Sequence, residues 1–462
     1  MADFTNLSEK LEKIQAELNP IISFCDYKKQ IAEIEESDID KSGFFYLRPV
    51  AVKDNYNMSG TRTTGASLIL DNYVSPYNAT VVDKLIKQGA VIVAKTSLDE
   101  FGMGGTNKSA YTGPVLNPFD SQRISGGSSG GSAVLVAGGI VDFALGSDTG
   151  DSIRKPAAFC GIVGVKPTYG LISRYGVIPY ASSLDHVGYF SDNVRNAAGA
   201  LGCLSGRDDR DMTSLYSEKV DYCLDLNSDL TGKKIAILGN VVNNIANPRV
   251  TEIFKQTVQA LKDRGAVVEE INLDDKLMRA LLPVYYIVST SEASANHSNL
   301  DGLRFGRQVD GGSTDDVMIN SRTAGFGSMI KKRFILGSYC LFEENQERLF
   351  KEAQRVRRVI FEAFSAVYRN YEAIVAPASG DVAPLLDGQP DNELADRYLI
   401  PENYMCFANF MGLPSMTVPM GKIAGVPLGI NITTARLCEQ TMFDIALAIE
   451  ETVGFVRWEE RR

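Results

Sequence analysis

Apolar positions along this chain switch repeatedly between two rhythms. From Thr80 the segment TVVDKLIKQGAVIVAKTS carries apolar residues at helical spacing as far as Gly89, then runs unbroken from Val91 to Ala94. A stripe on one face predicts a helix lying on a core, and a short continuous run predicts a strand covered on both faces. The stretch from Lys233 to Arg264 repeats the theme. KKIAILGN reads as a short apolar strand, RVTEIFKQTVQALKDRGA as an amphipathic helix stopped by Gly265, and VVEEINL as the next strand. Around Asp310, DGGSTDD predicts a flexible loop, and Phe342 to Asn370 a long charged helix. EAIVAPA, LPSMTVPM and VPLGINITT then read as three strands, followed by a helix from Glu439 to about Glu450. Helical and strand patterns alternate as in an α/β protein, and no repeat or low-complexity linker divides residues 1–462, which predicts one large domain.

Composition narrows the class. With 44% hydrophobic content in 462 residues the chain can bury a large core. Seven cysteines, spread from Cys25 to Cys438 without paired spacing, give neither a disulfide framework nor a metal pattern, so a reducing, cytoplasmic setting is expected and Cys160 is read as core. The opening MADFTNLSEKLEKIQAELNP mixes acidic and basic residues in helical rhythm, unlike a signal or transit peptide, and no apolar run reaches membrane-spanning length. A net charge of −10 speaks against direct nucleic-acid binding. GAVIVAKT, from Gly89, misses a phosphate-binding loop because Ala94 replaces its second glycine and a strand replaces the flexible segment.

The candidate chemistry lies between Gly126 and Pro156, GGSSGGSAVLVAGGIVDFALGSDTGDSIRKP, where two glycine-serine loops flank an apolar stretch. The pattern points to serine chemistry, yet the only histidines, His186 and His297, stand in no loop of nucleophile type. Lys53, in PVAVKDN, is the best candidate base: an apolar strand would carry its amine into a desolvated interior and lower its pKa.

Lys53, the GGSSGGSA run and the GSDTGDSIRKPA run together resemble the amidase signature family, which uses a Ser-Ser-Lys triad. The spacing agrees, with 75 residues from Lys53 to Ser128 and 24 from Ser128 to Ser152. The resemblance implies a mixed central β-sheet covered by helices, with a catalytic core at about residues 50–190. It makes Ser152 the nucleophile, Ser128 a bridging serine preceded by a cis peptide bond, and Lys53 the base. A hydroxyl both donates and accepts, so Ser128 can relay a proton between Ser152 and Lys53. Backbone N–H groups of Thr149, Gly150, Asp151 and Ser152 would face the oxyanion. Asp151 departs from the pattern, which has a second glycine before the nucleophile. Aspartate still supplies an N–H, and its carboxylate must then face away from the oxyanion.

Further stretches narrow the resemblance to the branch that supplies ammonia to tRNA-dependent amidotransferases. They are KTSLDEFGMGG from Lys95, SRYGVIPYASSLDHVG from Ser173, YYIVSTSEASANHSNLDGLRFG from Tyr285 and KKRFILGSY from Lys331. That branch holds glutamine by its amino acid end, which needs a cation for the α-carboxylate and an anion for the α-ammonium. Carried over, Arg333 is the cation, Glu402 the anion ahead of ANFMGLP, and Tyr285 or Tyr286 a further contact. Arg154 and Asp148 are read as an ion pair bracing the nucleophile turn. The resemblance implies no cofactor or metal in this chain. ATP and magnesium would belong to the B subunit of the amidotransferase, which binds misacylated Glu-tRNA(Gln), and a small C subunit would complete a cytoplasmic heterotrimer. Two rivals are a free-standing amidase acting on another small amide, which would not need Arg333, and a catalytically silent scaffold protein, suggested by Asp151.

Overall fold

The computed structural model describes residues 4–216, 221–388 and 396–454. Among them, eleven strands form one mixed sheet. They are β1 (Ile21–Phe24), β2 (Pro49–Lys53), β3 (Val91–Thr96), β4 (Phe143–Asp148), β5 (Val163–Lys166), β6 (His186–Ser191), β7 (Lys234–Leu238), β8 (Val267–Ile271), β9 (Ala373–Pro377), β10 (Ser415–Ile423) and β11 (Val426–Thr434). Their spatial order is β1-β3-β2-β4-β6-β5-β10-β11-β9-β7-β8. Parallel pairs β3-β2-β4 stand toward one end and β9-β7-β8 toward the other, and the strands between pair antiparallel.

Helices cover both faces, so the central strands are buried on both, as their unbroken apolar runs require. In β2, Val50 and Val52 enter one core cluster, while Ala51 enters another, with Val134 and Leu135 of the helix Gly130–Ala137. Side chains alternate along a strand, so Lys53 continues the face of Ala51, toward the loop that opens that helix. The helix Pro248–Asp263 starts where Asn247 Oδ1 accepts the Arg249 N–H, with proline in its first turn. It buries Val250, Phe254, Val258 and Leu261 on one stripe and stops before Gly265 at φ 89°.

The α/β reading and the mixed sheet covered by helices are what the structure has. Two local expectations change. The loop around Asp310 ends at Ser313, whose hydroxyl caps a helix, Thr314–Gly325, by accepting the Asp316 N–H. The long helix expected from Phe342 to Asn370 starts only after Phe342, which is extended at ψ 142°, and runs from Glu343 to Val367 with a π-helical turn, Glu347–Lys351, within it. No described helix is long and apolar enough to cross a membrane.

Candidate active site

Parallel strands β2 and β4, with Val52 opposite Leu145, end at the same edge of the sheet. Their last residues are Lys53 and Asp148, so the loops that leave these strands meet there, outside the carboxyl ends where open α/β sheets bind ligands. Lys53 is fully buried. Its Nζ lies 2.8 Å from Ser128 Oγ, 2.7 Å from Ser129 Oγ and 3.0 Å from Ser147 Oγ, with the Ser147 carbonyl oxygen at 3.5 Å. Burial brings the amine down to about 7, although the carboxylates of Asp99, Asp148 and Asp185 pull the other way. Near neutrality a large share of it carries a free lone pair.

The Gly127–Ser128 peptide bond is cis. Position 127 has no room for a side chain, because a Cβ there would sit 2.1 Å from Asp99 Oδ2 and 2.7 Å from the backbone nitrogens of Thr106 and Asn107. Asp99 ties that neighbouring loop together by accepting from the N–H groups of Thr106, Asn107 and Lys108 and from the Ser109 hydroxyl.

Ser152 is buried just before the helix Arg154–Cys160, and its carbonyl accepts the Ser129 N–H at 3.2 Å, which joins the two loops. The fully buried Arg154 donates to both Asp148 carboxylate oxygens, at 2.9 and 3.1 Å, to the Gly150 carbonyl at 2.6 Å and to Asn409 Oδ1 at 2.7 Å. Asp148 Oδ2 also accepts the Ile153 N–H at 3.1 Å. Burial alone would raise the Asp148 carboxyl, but Arg154 beside it holds it well below the usual carboxylate range. The pair braces the turn that ends in Ser152. Both histidines are buried: Nδ1 of His186 and of His297 meet the carbonyls of Leu184 and Ala293, and burial lowers both rings, His297 to about 4.

Two cavities open on the turn. One of about 280 Å³ is lined by Asn55, Ser147, Thr149, Tyr180 and Asp185. The other, of about 110 Å³, is lined by Gly150, Asp151, Tyr285, Tyr286 and Arg333. Arg333 donates from Nη1 to the Tyr180 hydroxyl at 2.7 Å, and its buried Nε has no hydrogen-bond partner among the described residues. Such a donor is costly to bury unmet. Both tyrosines are present: the Arg333 guanidinium lies 5.2 Å from the Tyr286 ring, while Tyr285 packs so close to Gly150 that a Cβ there would meet its ring at 2.9 Å. Glu402 is placed differently. Its Oε2 lies 2.8 Å from Lys155 Nζ and its Oε1 accepts the Gly380 N–H at 2.7 Å, and it does not line the smaller cavity.

A family model described as Amidase matches residues 5–443. The chain belongs to the amidase family. It is 40% identical over 453 residues to the A subunit of glutamyl-tRNA(Gln) amidotransferase of Lactiplantibacillus plantarum, covering 97% of this chain and 91% of that protein. It is 38% identical over 456 residues to the protein of the same name from an Exiguobacterium species, covering 97% and 93%. The crystal structure of the A subunit of the Thermotoga maritima glutamyl-tRNA(Gln) amidotransferase matches with a TM-score of 0.81 at 34% identity, over 97% of this chain and 91% of that one. The peptide amidase of Stenotrophomonas maltophilia matches at 0.80 and 26% identity, over 99% and 95%.

Within this amidase site, three groups escaped the sequence reading. Ser129 and Ser147 complete the hydroxyl cage of Lys53, and Lys155 engages Glu402 across 247 residues of chain. Both serines sit in the two glycine-serine runs, so the signal was there. What was missing was the convergence of both runs on a single amine.

Proposed function

We propose that this chain is the glutaminase component of a tRNA-dependent amidotransferase. The observation that carries the reading is the buried Lys53 amine, brought down to about 7 and placed 2.8 Å from the Ser128 hydroxyl. Ser152 Oγ attacks the side-chain amide carbon of glutamine while its proton passes to Ser128 and on to Lys53. The carbonyl oxygen becomes an oxyanion, met by backbone N–H groups of the turn Thr149-Gly150-Asp151-Ser152. Collapse breaks the C–N bond, and the relayed proton leaves with ammonia. Water then hydrolyses the γ-glutamyl ester, giving glutamate and restoring Ser152. Arg333 receives the α-carboxylate, with Tyr285 and Tyr286 lining the same cavity.

The relatives named as the A subunit of glutamyl-tRNA(Gln) amidotransferase support the assignment to a larger assembly. In this reading a cytoplasmic heterotrimer forms. Ammonia released here passes to the B subunit, where ATP and magnesium activate the glutamate of misacylated Glu-tRNA(Gln), and a small C subunit secures the other two. The test is ammonia release from glutamine, asparagine and unrelated amides, by the chain alone and by the co-expressed complex. Glutamine turnover that vanishes with Ser152→Ala is expected. A folded complex that releases no ammonia from glutamine would overturn the reading, and full activity in Arg333→Ala would favour a free-standing amidase.

A further inference from the structure

Carboxylates crowd the nucleophile turn, and nearly all are engaged. Asp148 is held by Arg154 and Asn409, and Asp185 accepts from the Thr149 hydroxyl at 2.7 Å and from the N–H groups of Tyr180 and Ala181. Asp99 gathers a loop of backbone N–H groups, and Glu402 is taken up by Lys155 and Gly380. Asp151 differs: its carboxylate makes no hydrogen bond or ion pair with any described residue, and it lines a cavity that Arg333 also lines. One cavity on this turn is thus lined by a cation, Arg333, and by a carboxylate that no described residue binds.

We infer that Asp151, rather than Glu402, receives the ammonium group of the amino-acid amide substrate, and that this charge pairing selects glutamine over amides lacking an α-amino group. The inference builds on the glutaminase reading. Its geometry follows from chain dimensions. In glutamine three bonds separate the amide carbon from the α-carbon, so the ammonium falls within about 5 Å of the carbon that Ser152 attacks. Asp151 is the residue before Ser152, and consecutive Cα atoms stand about 3.8 Å apart, so its carboxylate is at the right range. Burial raises the Asp151 carboxyl to about 6, which leaves an anion at neutral pH that a bound ammonium would stabilise further.

The pairing also gives Asp151 a catalytic consequence. The Asp151 carboxylate, already under the pull of the Lys155 and Arg154 charges, still stands next to the oxyanion donors and opposes the negative charge that develops on the amide oxygen. The ammonium of the correct substrate cancels that opposition, and an amide without one does not. Discrimination therefore reaches kcat as well as KM.

The experiment compares glutamine with glutaramate, its analogue lacking the α-amino group, using the co-expressed complex. Wild type is expected to prefer glutamine by on the order of 100-fold in kcat/KM, the scale of an unpaired buried charge. Asp151→Asn should bring the ratio to about tenfold or less, lowering kcat/KM for glutamine and raising it for glutaramate, and Asp151→Gly should do the same. Glu402→Gln should leave the ratio unchanged. The inference is overturned if Glu402→Gln collapses the ratio, if the Asp151 variants lose both substrates equally, or if Asp151→Gly improves glutamine turnover. Binding of both compounds to a Ser152→Ala complex, measured by calorimetry, reads the same preference without chemistry. Discrimination in binding with no wild-type turnover would therefore sink the glutaminase reading alone.

Discussion

Lys53 and Lys95 lie on adjacent parallel strands, β2 and β3, both fully buried, and they differ in what meets their amines. Lys95 Nζ stands 2.9 Å from Asp54 Oδ1, with the Thr63 hydroxyl at 3.1 Å. Lys53 meets three hydroxyls and a carbonyl. Asp54 directly follows Lys53 in the chain, yet its carboxylate goes to the neighbouring strand's lysine, as the alternation of side chains along an extended segment favours. A buried lysine given a carboxylate is tied into an ion pair and holds structure. Met by hydroxyls and a carbonyl instead, Lys53 is brought down by burial to about 7 and can serve as a base.

Removing each amine in turn gives the largest contrast. Lys53→Met should lower glutamine-dependent ammonia release by on the order of 10⁴-fold while leaving stability little changed, since the hydroxyls left behind can pair with one another. Lys95→Met should do the reverse, costing about 3–5 kcal/mol of stability in urea unfolding because Asp54 is left buried and unpaired, with Asp54→Asn restoring part of the loss. Equal losses of turnover at undiminished stability would erase the distinction between the two lysines.

The same contrast explains how far the sequence could be read. Lys53 was legible because PVAVK is an apolar run with one cation at its end, and because two histidines left little else to serve as base. β3, β7, β9, β10 and β11 were legible for a like reason, as continuous apolar runs bounded by glycine, proline or charged residues. The helix Thr314–Gly325 was obscured by turn-forming glycines, although Ser313 followed by Asp315 and Asp316 is a cap with acidic residues in the first turn. The proposed substrate end of the site was harder for a physical reason. Glu402 lies far along the chain from Lys155, and only the folded sheet shows that their ion pair withdraws this carboxylate from the cavity. Arg333, Tyr285 and Tyr286 come from two packed helices, and nothing in local spacing places them beside Asp151.

A smaller effect is expected from giving Lys53 what Lys95 already has. Ser147 Oγ lies 3.0 Å from Lys53 Nζ and borders the larger cavity, so Ser147→Asp places a carboxylate against the amine. In the proposed mechanism the neutral amine is the base, so wild-type kcat/KM should be flat above about 7 and fall about tenfold per pH unit below it. An adjacent carboxylate favours the ammonium form and should move that limb up by about 1 to 3 pH units. Activity at pH 7 then drops by about ten- to a thousandfold and returns in alkaline buffer. A loss that no pH restores would mean that Ser147 contributes more than its neutrality.

The smallest effect separates the two neighbouring serines, which distance to Lys53 cannot, since their hydroxyls stand 2.8 and 2.7 Å from Nζ. Their other partners do separate them. Ser129 Oγ also accepts the Ser147 N–H at 3.3 Å and reaches the Ser147 carbonyl at 3.2 Å, so both its donor and acceptor capacity are committed to fixing the cage. The Ser128 hydroxyl meets no described residue but Lys53, which leaves it able to take a proton from Ser152. Ser129→Ala should therefore cost about tenfold in kcat, the worth of one buried hydrogen bond of about 1–1.5 kcal/mol, with the pH limb shifted only slightly. Ser128→Ala should cost at least on the order of 10²-fold, the scale of lost proton transfer. If the two losses are equal, or if Ser129→Ala is the greater, the relay runs through Ser129, and the hydroxyl bonded to Ser147 must break those contacts in every turnover.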